Sequence, residues 1–190
     1  MSLDLREFSD SELVALSLAG RDHAFAELVR RHSDSLYRLT LASLGNREDA
    51  LEVVQDIFVA AHGALRRFDD TKPLRPWLAA IGLNRCRDIA RRQRVRHFLT
   101  FAKPLDSTND NLPFDEPGAE ISAADRQELQ RTFTAIAALP TALREPLILH
   151  TIENLSQAET AKLLKISEKA VETRLRRARQ QLRAALGGLR

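Results

Sequence analysis

The sequence predicts an all-α protein built as two small helical units. Three observations carry this. Leu and Ala supply most of the apolar mass, while aromatic residues are only 5% of the chain, a balance that favours helices over sheets. Seven Gly and seven Pro in 190 residues are few, which fits long helices with short joints. Apolar residues recur at helical i, i+3, i+4, i+7 spacing, and no strand candidate emerges.

The first helix opens at Ser9, whose pairing with Glu12 reads as a capping box, and runs to Gly20. Phe25, Leu28, Val29, Leu36, Leu39 and Leu44 keep helical spacing until Gly45. Asn46 caps the next helix, with Glu48 and Asp49 in its first turn, where acids suit the helix dipole. Ala50, Val53, Val54, Ile57, Phe58, Ala61 and Leu65 form its apolar stripe, and it stops near Phe68. FDDTKPLRP, residues 68–76, is a loop on its Asp and Pro content. A helix from about Arg75 carries Trp77, Leu78, Ile81, Cys86 and Ile89 and decays into the basic run RRQRVRH.

From Thr100 to Glu120 the pattern breaks into a Pro-, Asp- and Asn-rich stretch that reads as a flexible acidic linker. Beyond it, Leu129, Phe133, Ile136 and Leu139 mark a helix that ends before Pro140. Arg144 to Ile152 is another. Ser156 with Glu159 is a second capping box, opening a helix to about Leu164. Lys165, Ile166 and Ser167 make a short turn, and Ser167 caps the last helix. The expected units are 8–98 and 121–187, with 99–120 as the tether.

Charge sharpens the reading. The net charge is +3, but its distribution matters more. Arg91, Arg92, Arg94 and Arg96 form one basic run and Lys169 to Arg183 another. Asp106, Asp110, Asp115, Glu116 and Glu120 lie between them. Two basic patches around an acidic connector suggest two contacts with one polyanion. Cys86 is the only cysteine, which excludes an intrachain disulfide and a thiolate-rich zinc site. The start lacks a basic n-region and an apolar h-region, and no apolar run reaches membrane-spanning length. The expectation is a soluble cytoplasmic protein without membrane insertion.

Two short helices joined by a three-residue turn form a helix-turn-helix pattern. Ala161, Leu164, Ile166, Val171 and Leu175 are expected to pack the pair together. With Val171 at the centre of the buried face, about 100° per residue turns Lys169, Thr173, Arg176 and Gln180 outward. Glu172, Arg177, Arg179 and Arg183 flank them. Such a face suits a DNA major groove, where Arg grips guanine edges and basic neighbours hold phosphates. A solvated surface helix is the plain alternative, and the capped preceding helix and tight turn weigh against it. Glu172 is placed to accept from a cytosine amino group or to pair with Arg176. A left-handed Lys165 would cost roughly 1 kcal/mol.

The stretch DALEVVQDIF, residues 49–58, sets Asp49, Glu52, Gln55 and Asp56 on one side of an amphipathic helix. It resembles the core-binding helix of bacterial sigma-70-family factors, and above all of the small extracytoplasmic-function (ECF) sigma factors. PWLAAIGLNRCRDIARR (76–92) and VETRLRRAR (171–179) resemble later segments of the same proteins, in the same order. The resemblance implies a sigma-2-like helical bundle and a sigma-4-like helix-turn-helix domain. It implies a subunit rather than an enzyme, one that needs no cofactor. Asp49, Glu52, Gln55 and Asp56 would meet the clamp helices of the largest subunit of core RNA polymerase, and the second domain would meet the flap of the second subunit. Phe58 belongs to the core. Leu51 departs from the pattern, in which an acid is usual.

The resemblance also gives the loop residues Asp69, Asp70 and Lys72, and Asn84, Arg85, Asp88, Arg91 and Arg92, to the −10 element. The physical need is a pocket for an unstacked base and a basic track for the melted strand. Asn84 has the donor and acceptor to read a base edge, with a plain helix-surface amide as the alternative. Trp77 sits at a core position rather than on a stacking surface. Lys169, Glu172, Thr173, Arg176, Arg177 and Arg179 would read the −35 element as duplex. The two elements lie on the order of 60 Å apart at 3.4 Å per base pair. A flexible chain of the linker's length averages about 25 Å, so it is stretched when both are bound. In relatives the tether threads channels that later hold RNA, and Asp106, Asp110, Asp115 and Glu116 are hypothesised to mimic that anionic chain. An anti-sigma factor is an expected partner.

Three other classes compete. A stand-alone helix-turn-helix regulator accounts for 156–183 but leaves 49–58 without a role. An enzyme is disfavoured: His23, His32, His62, His97 and His150 lack metal-ligand spacing, Cys86 sits among apolar neighbours, and no phosphate-binding glycine loop is present. A purely protein-binding module predicts flat salt dependence of any DNA binding, where phosphate contacts predict a steep one.

Overall fold

A computed structural model describes residues 4–99 and 122–187. Eight α-helices follow one another among the described residues: α1 Asp10–Leu18, α2 Asp22–Leu44, α3 Arg47–Ala64, α4 Leu74–Leu99, α5 Ala123–Ala138, α6 Thr141–Thr151, α7 Gln157–Leu164 and α8 Glu168–Gly187. Single 3₁₀ turns occupy Leu5–Glu7 and Leu65–Arg67. None of these helices is long and apolar enough to cross a membrane. The linker 100–120, with its acids, lies outside the described residues.

Local chemistry sets the boundaries. Ser9 and Ser156 both form full capping boxes, with Glu12 and Glu159 returning bonds to their N-cap amides. Asn46 Oδ1 accepts from the Asp49 amide at 2.9 Å, and Gly45 closes α2 in the left-handed region at φ 74°. Ser167 Oγ accepts from the Ala170 amide at 3.2 Å. Lys165 is indeed left-handed, at φ 55°. One expectation is corrected. The basic run RRQRVRH does not end α4, because the helix continues to Leu99.

The larger core gathers Leu13, Leu28, Leu36, Leu39, Val53, Ile57, Leu78 and Leu83 from α1–α4. It also takes in Phe133, Ile148, Leu149 and Leu155 from the second half. Phe58 and Cys86 are buried in it, and Trp77 packs on its edge with its ring 4.9 Å from Phe68. The smaller core, Leu139, Leu143, Leu147, Ala161, Val171, Leu175 and Ala178, unites α6, α7 and α8. Ile166 joins it as expected, but Leu164 packs instead against the larger core. Residue 164 is the last of α7.

The two halves therefore meet along a seam. At its apolar part α5 and α6 lie on α2, so close that a Cβ at Gly45 would stand 2.9 Å from the Ala137 Cβ. Ion pairs flank it. Glu153, fully buried at its side chain, accepts from Arg75 Nε at 2.8 Å and from Ser35 Oγ at 2.9 Å. Arg75 Nη2 donates onward to Ser35 Oγ and the Ile152 carbonyl. Glu145 takes Arg87 in a two-point grip, 2.6 Å at each contact. Burying each large aliphatic side chain contributes about 1.5–3 kcal/mol, whereas a buried ion pair roughly breaks even against its desolvation. The apolar contacts supply the attraction, and the charges fix how the halves register.

Candidate nucleic-acid and polymerase interfaces

The last helix is the best defined surface. Val171, Leu175 and Ala178 are buried on α6 and α7, so the opposite face must point out. Lys169, Glu172, Arg176, Arg177 and Arg179 are exposed, and Thr173 is half-buried with its hydroxyl donating to the Lys169 carbonyl at 2.9 Å. Of the two roles open to Glu172, the pairing with Arg176 is not the one formed in the free chain. Glu172 Oε2 accepts from Lys169 Nζ at 2.9 Å. That contact, with the more distant Arg176 charge, holds the Glu172 carboxyl below its ordinary range. The side chain one turn toward the N-terminus reaches it first, and Arg176 is left facing solvent.

On α3, Ala50, Val53 and Ile57 are fully buried, which turns Glu52, Gln55 and Asp56 to solvent and leaves Asp49 half-buried. Asp49 Oδ2 accepts from Gln93 Nε2 of α4 at 2.9 Å. Leu51 and Val59 are exposed on the same helix, at 43% and 74%.

The loop before α4 is held by its own polar groups. Asp69 accepts from the Thr71 amide and hydroxyl and pairs with Lys72. The Lys72 ammonium holds the Asp69 carboxyl down at about 2. Asp70 is exposed, and its carbonyl accepts from Ser11 Oγ at 3.3 Å. On α4, Asn84, Arg85, Arg91 and Arg92 are exposed, and Asp88 pairs with Arg91 at 3.0 Å. Asn84 Oδ1 accepts from Arg87 Nη1 at 3.0 Å. The loop leads directly into α4, and α8 lies in the other half.

Sequence reasoning missed Arg75, Arg87, Glu145, Glu153 and Ser35. A signal was present: Glu145 and Glu153 are the only acids in the apolar stretch 141–155, where an unpaired carboxylate would be costly. Among the described residues no group of three or more His, Cys, Asp or Glu is arranged to hold a metal ion.

Comparison with known proteins gives a consistent picture. The family model for sigma-70 region 2 matches residues 28–96, and that for sigma-70 region 4 matches residues 129–182. The chain is 42% identical over 182 residues to the RNA polymerase sigma factor CnrH of Cupriavidus metallidurans, covering 95% of each protein. A solved structure of CnrH in complex with the cytosolic domain of CnrY is similar with a TM-score of 0.70 at 35% identity, covering 95% of this chain and 99% of that one. The ECF RNA polymerase sigma factor SigM of Mycobacterium tuberculosis is 33% identical over 183 residues, covering 96% of this chain and 87% of the relative. The fold is also that of the sigma factor RpoE of Bartonella quintana, solved with the anti-sigma factor NepR, at a TM-score of 0.66 and 20% identity over 87% of this chain and 98% of that one.

Proposed function

The chain belongs to the sigma-70 family as an ECF RNA polymerase sigma factor, and we propose that it works in the cytoplasm through three surfaces. The α3 face with Asp49, Glu52, Gln55 and Asp56 docks on the clamp helices of the largest polymerase subunit, with Leu51 and Val59 adding apolar contact. The loop with Asp69, Asp70 and Lys72, together with Asn84, Arg85, Asp88, Arg91 and Arg92 on α4, engages the melted −10 strand. The outer face of α8 reads the −35 duplex through Lys169, Glu172, Thr173, Arg176, Arg177 and Arg179, and its half meets the flap. The region 8–98 carries the first two tasks and 121–187 the third, with 99–120 between them.

The observation that carries this reading is the polarity of α8. Its buried Val171, Leu175 and Ala178 leave a basic face outward, on the second helix of a helix-turn-helix. That is the geometry in which Arg can present paired donors to guanine O6 and N7. An anti-sigma factor is the proposed regulator, supported by the solved complexes of the similar proteins.

The test is run-off transcription with bacterial core polymerase and upstream DNA from the source genome. A discrete start that depends on this chain is expected, and its upstream sequence defines both elements. Tight duplex binding with no co-elution with core and no transcript would favour a stand-alone regulator.

A further inference from the structure

Arg66 and Arg67 stand immediately before the loop that opens at Phe68. The 3₁₀ turn Leu65–Arg67 aims them. Three residues complete a turn of such a helix, so successive side chains lie about 120° apart. Leu65 is buried in the larger core, which turns both arginines outward, and both are exposed. The turn is pinned on either side. The Leu65 carbonyl accepts from the Phe68 amide at 3.1 Å, and the Phe68 ring lies 4.9 Å from Trp77. The backbone that carries the two guanidinium groups is therefore held in place before a partner arrives.

Neighbouring cations are already engaged. Lys72 pairs with Asp69, Arg75 with Glu153, Arg87 with Glu145 and Arg91 with Asp88. Among the described residues, Arg66 and Arg67 form no ion pair, and neither side chain donates to a carbonyl of the last turn of α3. Two like charges on consecutive residues repel, and the fold supplies nothing to offset this. We propose that Arg66 and Arg67 are a phosphate clasp: each guanidinium grips a backbone phosphate of the DNA strand that is seated at the adjacent loop. The clasp rests on the sigma reading above for the strand it holds. A planar guanidinium fork matches phosphate oxygens two at a time, and a single residue, Phe68, separates Arg67 from Asp69. The acids of α3, Glu48, Asp49, Glu52 and Asp56, lie in its N-terminal part, so this is the end of the helix that suits a polyanion. Such contacts carry no sequence information. They fix where the strand lies and leave base choice to other residues. The plain alternative is an interaction with the C-terminal end of the α3 dipole, which contributes to stability and not to DNA binding.

The experiment measures binding of the full chain to a labelled single strand of DNA by fluorescence anisotropy over a series of salt concentrations. Two unrelated base sequences are used, one of them the −10 element where a start site has been mapped. R66Q/R67Q removes both charges and keeps much of each stem, and R66K/R67K retains the charges. The slope of log K against log salt is expected to shrink by about 1.4 in R66Q/R67Q, because each single-strand phosphate contact contributes about 0.7. The fold-loss in affinity should be the same on both sequences, and R66K/R67K should keep the slope. A slope unchanged in R66Q/R67Q overturns the clasp. With a lower Tm that result assigns the pair to the helix dipole, and with weaker core polymerase binding it assigns the pair to an acidic protein surface. A slope that shrinks as far in R66K/R67K reflects shape rather than charge and overturns the clasp too. So does a loss confined to one sequence, which makes the arginines base readers, and so does an absence of single-strand binding by the unmodified chain both alone and with core. If the unmodified chain gives no transcript with core and the slope still falls as expected, the clasp stands and the sigma reading falls. A transcript together with an unchanged slope has the opposite meaning.

Discussion

Gln93 and Asp49 tie α4 to α3: the Gln93 amide of α4 donates to the Asp49 carboxylate of α3 at 2.9 Å. The bond orients a half-buried acid at the edge of the proposed polymerase face, while Asp56 is exposed two turns on. The D49K/D56K variant should lose core polymerase binding by at least about tenfold, since like-charge juxtaposition in an interface costs several kcal/mol. Its binding to −35 duplex should stay unchanged. Q93A should weaken core binding less, because only the orientation of Asp49 is lost. Fluorescence anisotropy against core and against duplex separates the two, and unimpaired core binding by D49K/D56K refutes the α3 assignment.

Arg176 is the proposed base reader on α8: it is exposed, central on the outer face and not drawn into the Lys169–Glu172 pair. R176A should lose about 1–3 kcal/mol of discrimination between the mapped −35 sequence and a variant at one guanine. Competition binding at fixed salt measures this. Equal loss on every sequence identifies a phosphate contact instead.

Lys165 closes α7 with φ 55° and ψ 47°, a conformation in which a Cβ crowds the following carbonyl. Lys165→Gly removes that crowding and should stabilise by roughly 1 kcal/mol. For a chain of this size that raises Tm by about 2–4 °C. An unchanged or lower Tm means that the lysine side chain contributes as much as its backbone costs.

Most helix boundaries were legible because they are local. The capping boxes at Ser9 and Ser156 and the Asn46 cap each depend on side chains within four residues of the backbone they serve, and the Gly45 stop depends on a left-handed residue without a Cβ. The outward face of α8 was legible for the same reason, since helical periodicity alone separates Val171 and Leu175 from Arg176. The seam was not legible. Arg87 and Glu145 are 58 residues apart, and Arg75 and Glu153 are 78 apart, so neither pair leaves a periodic trace. An arginine among arginines looks like a phosphate ligand until its carboxylate is seen. The fate of Leu164 failed similarly, because its spacing fits either core.

The N-terminal segment is fastened by a charged clip that makes stability depend on acid. Arg31 donates to the carbonyls of Leu5, Arg6 and Phe8 and to the carboxylates of Asp10 and Glu27. His32 Nε2 lies 2.8 Å from Asp10 Oδ2. Arg30 and Arg31 hold the Glu27 carboxyl down from an ordinary 4.5 to about 2. His32, then Arg31, lower Asp10 in the same direction. A carboxylate whose folded pKa lies below its unfolded one binds fewer protons when folded. Its contribution is therefore complete above about pH 4.5–5 and is lost as pH falls toward 2. The chain should lose Tm progressively over that window. In Glu27→Gln the Tm should be lower than that of the unmodified chain at pH 6, and the two should converge near pH 2. Thermal melts followed by circular dichroism across this range provide the measurement. A Tm difference that stays constant from pH 6 to pH 2 would mean that Glu27 acts through packing and not through its charge.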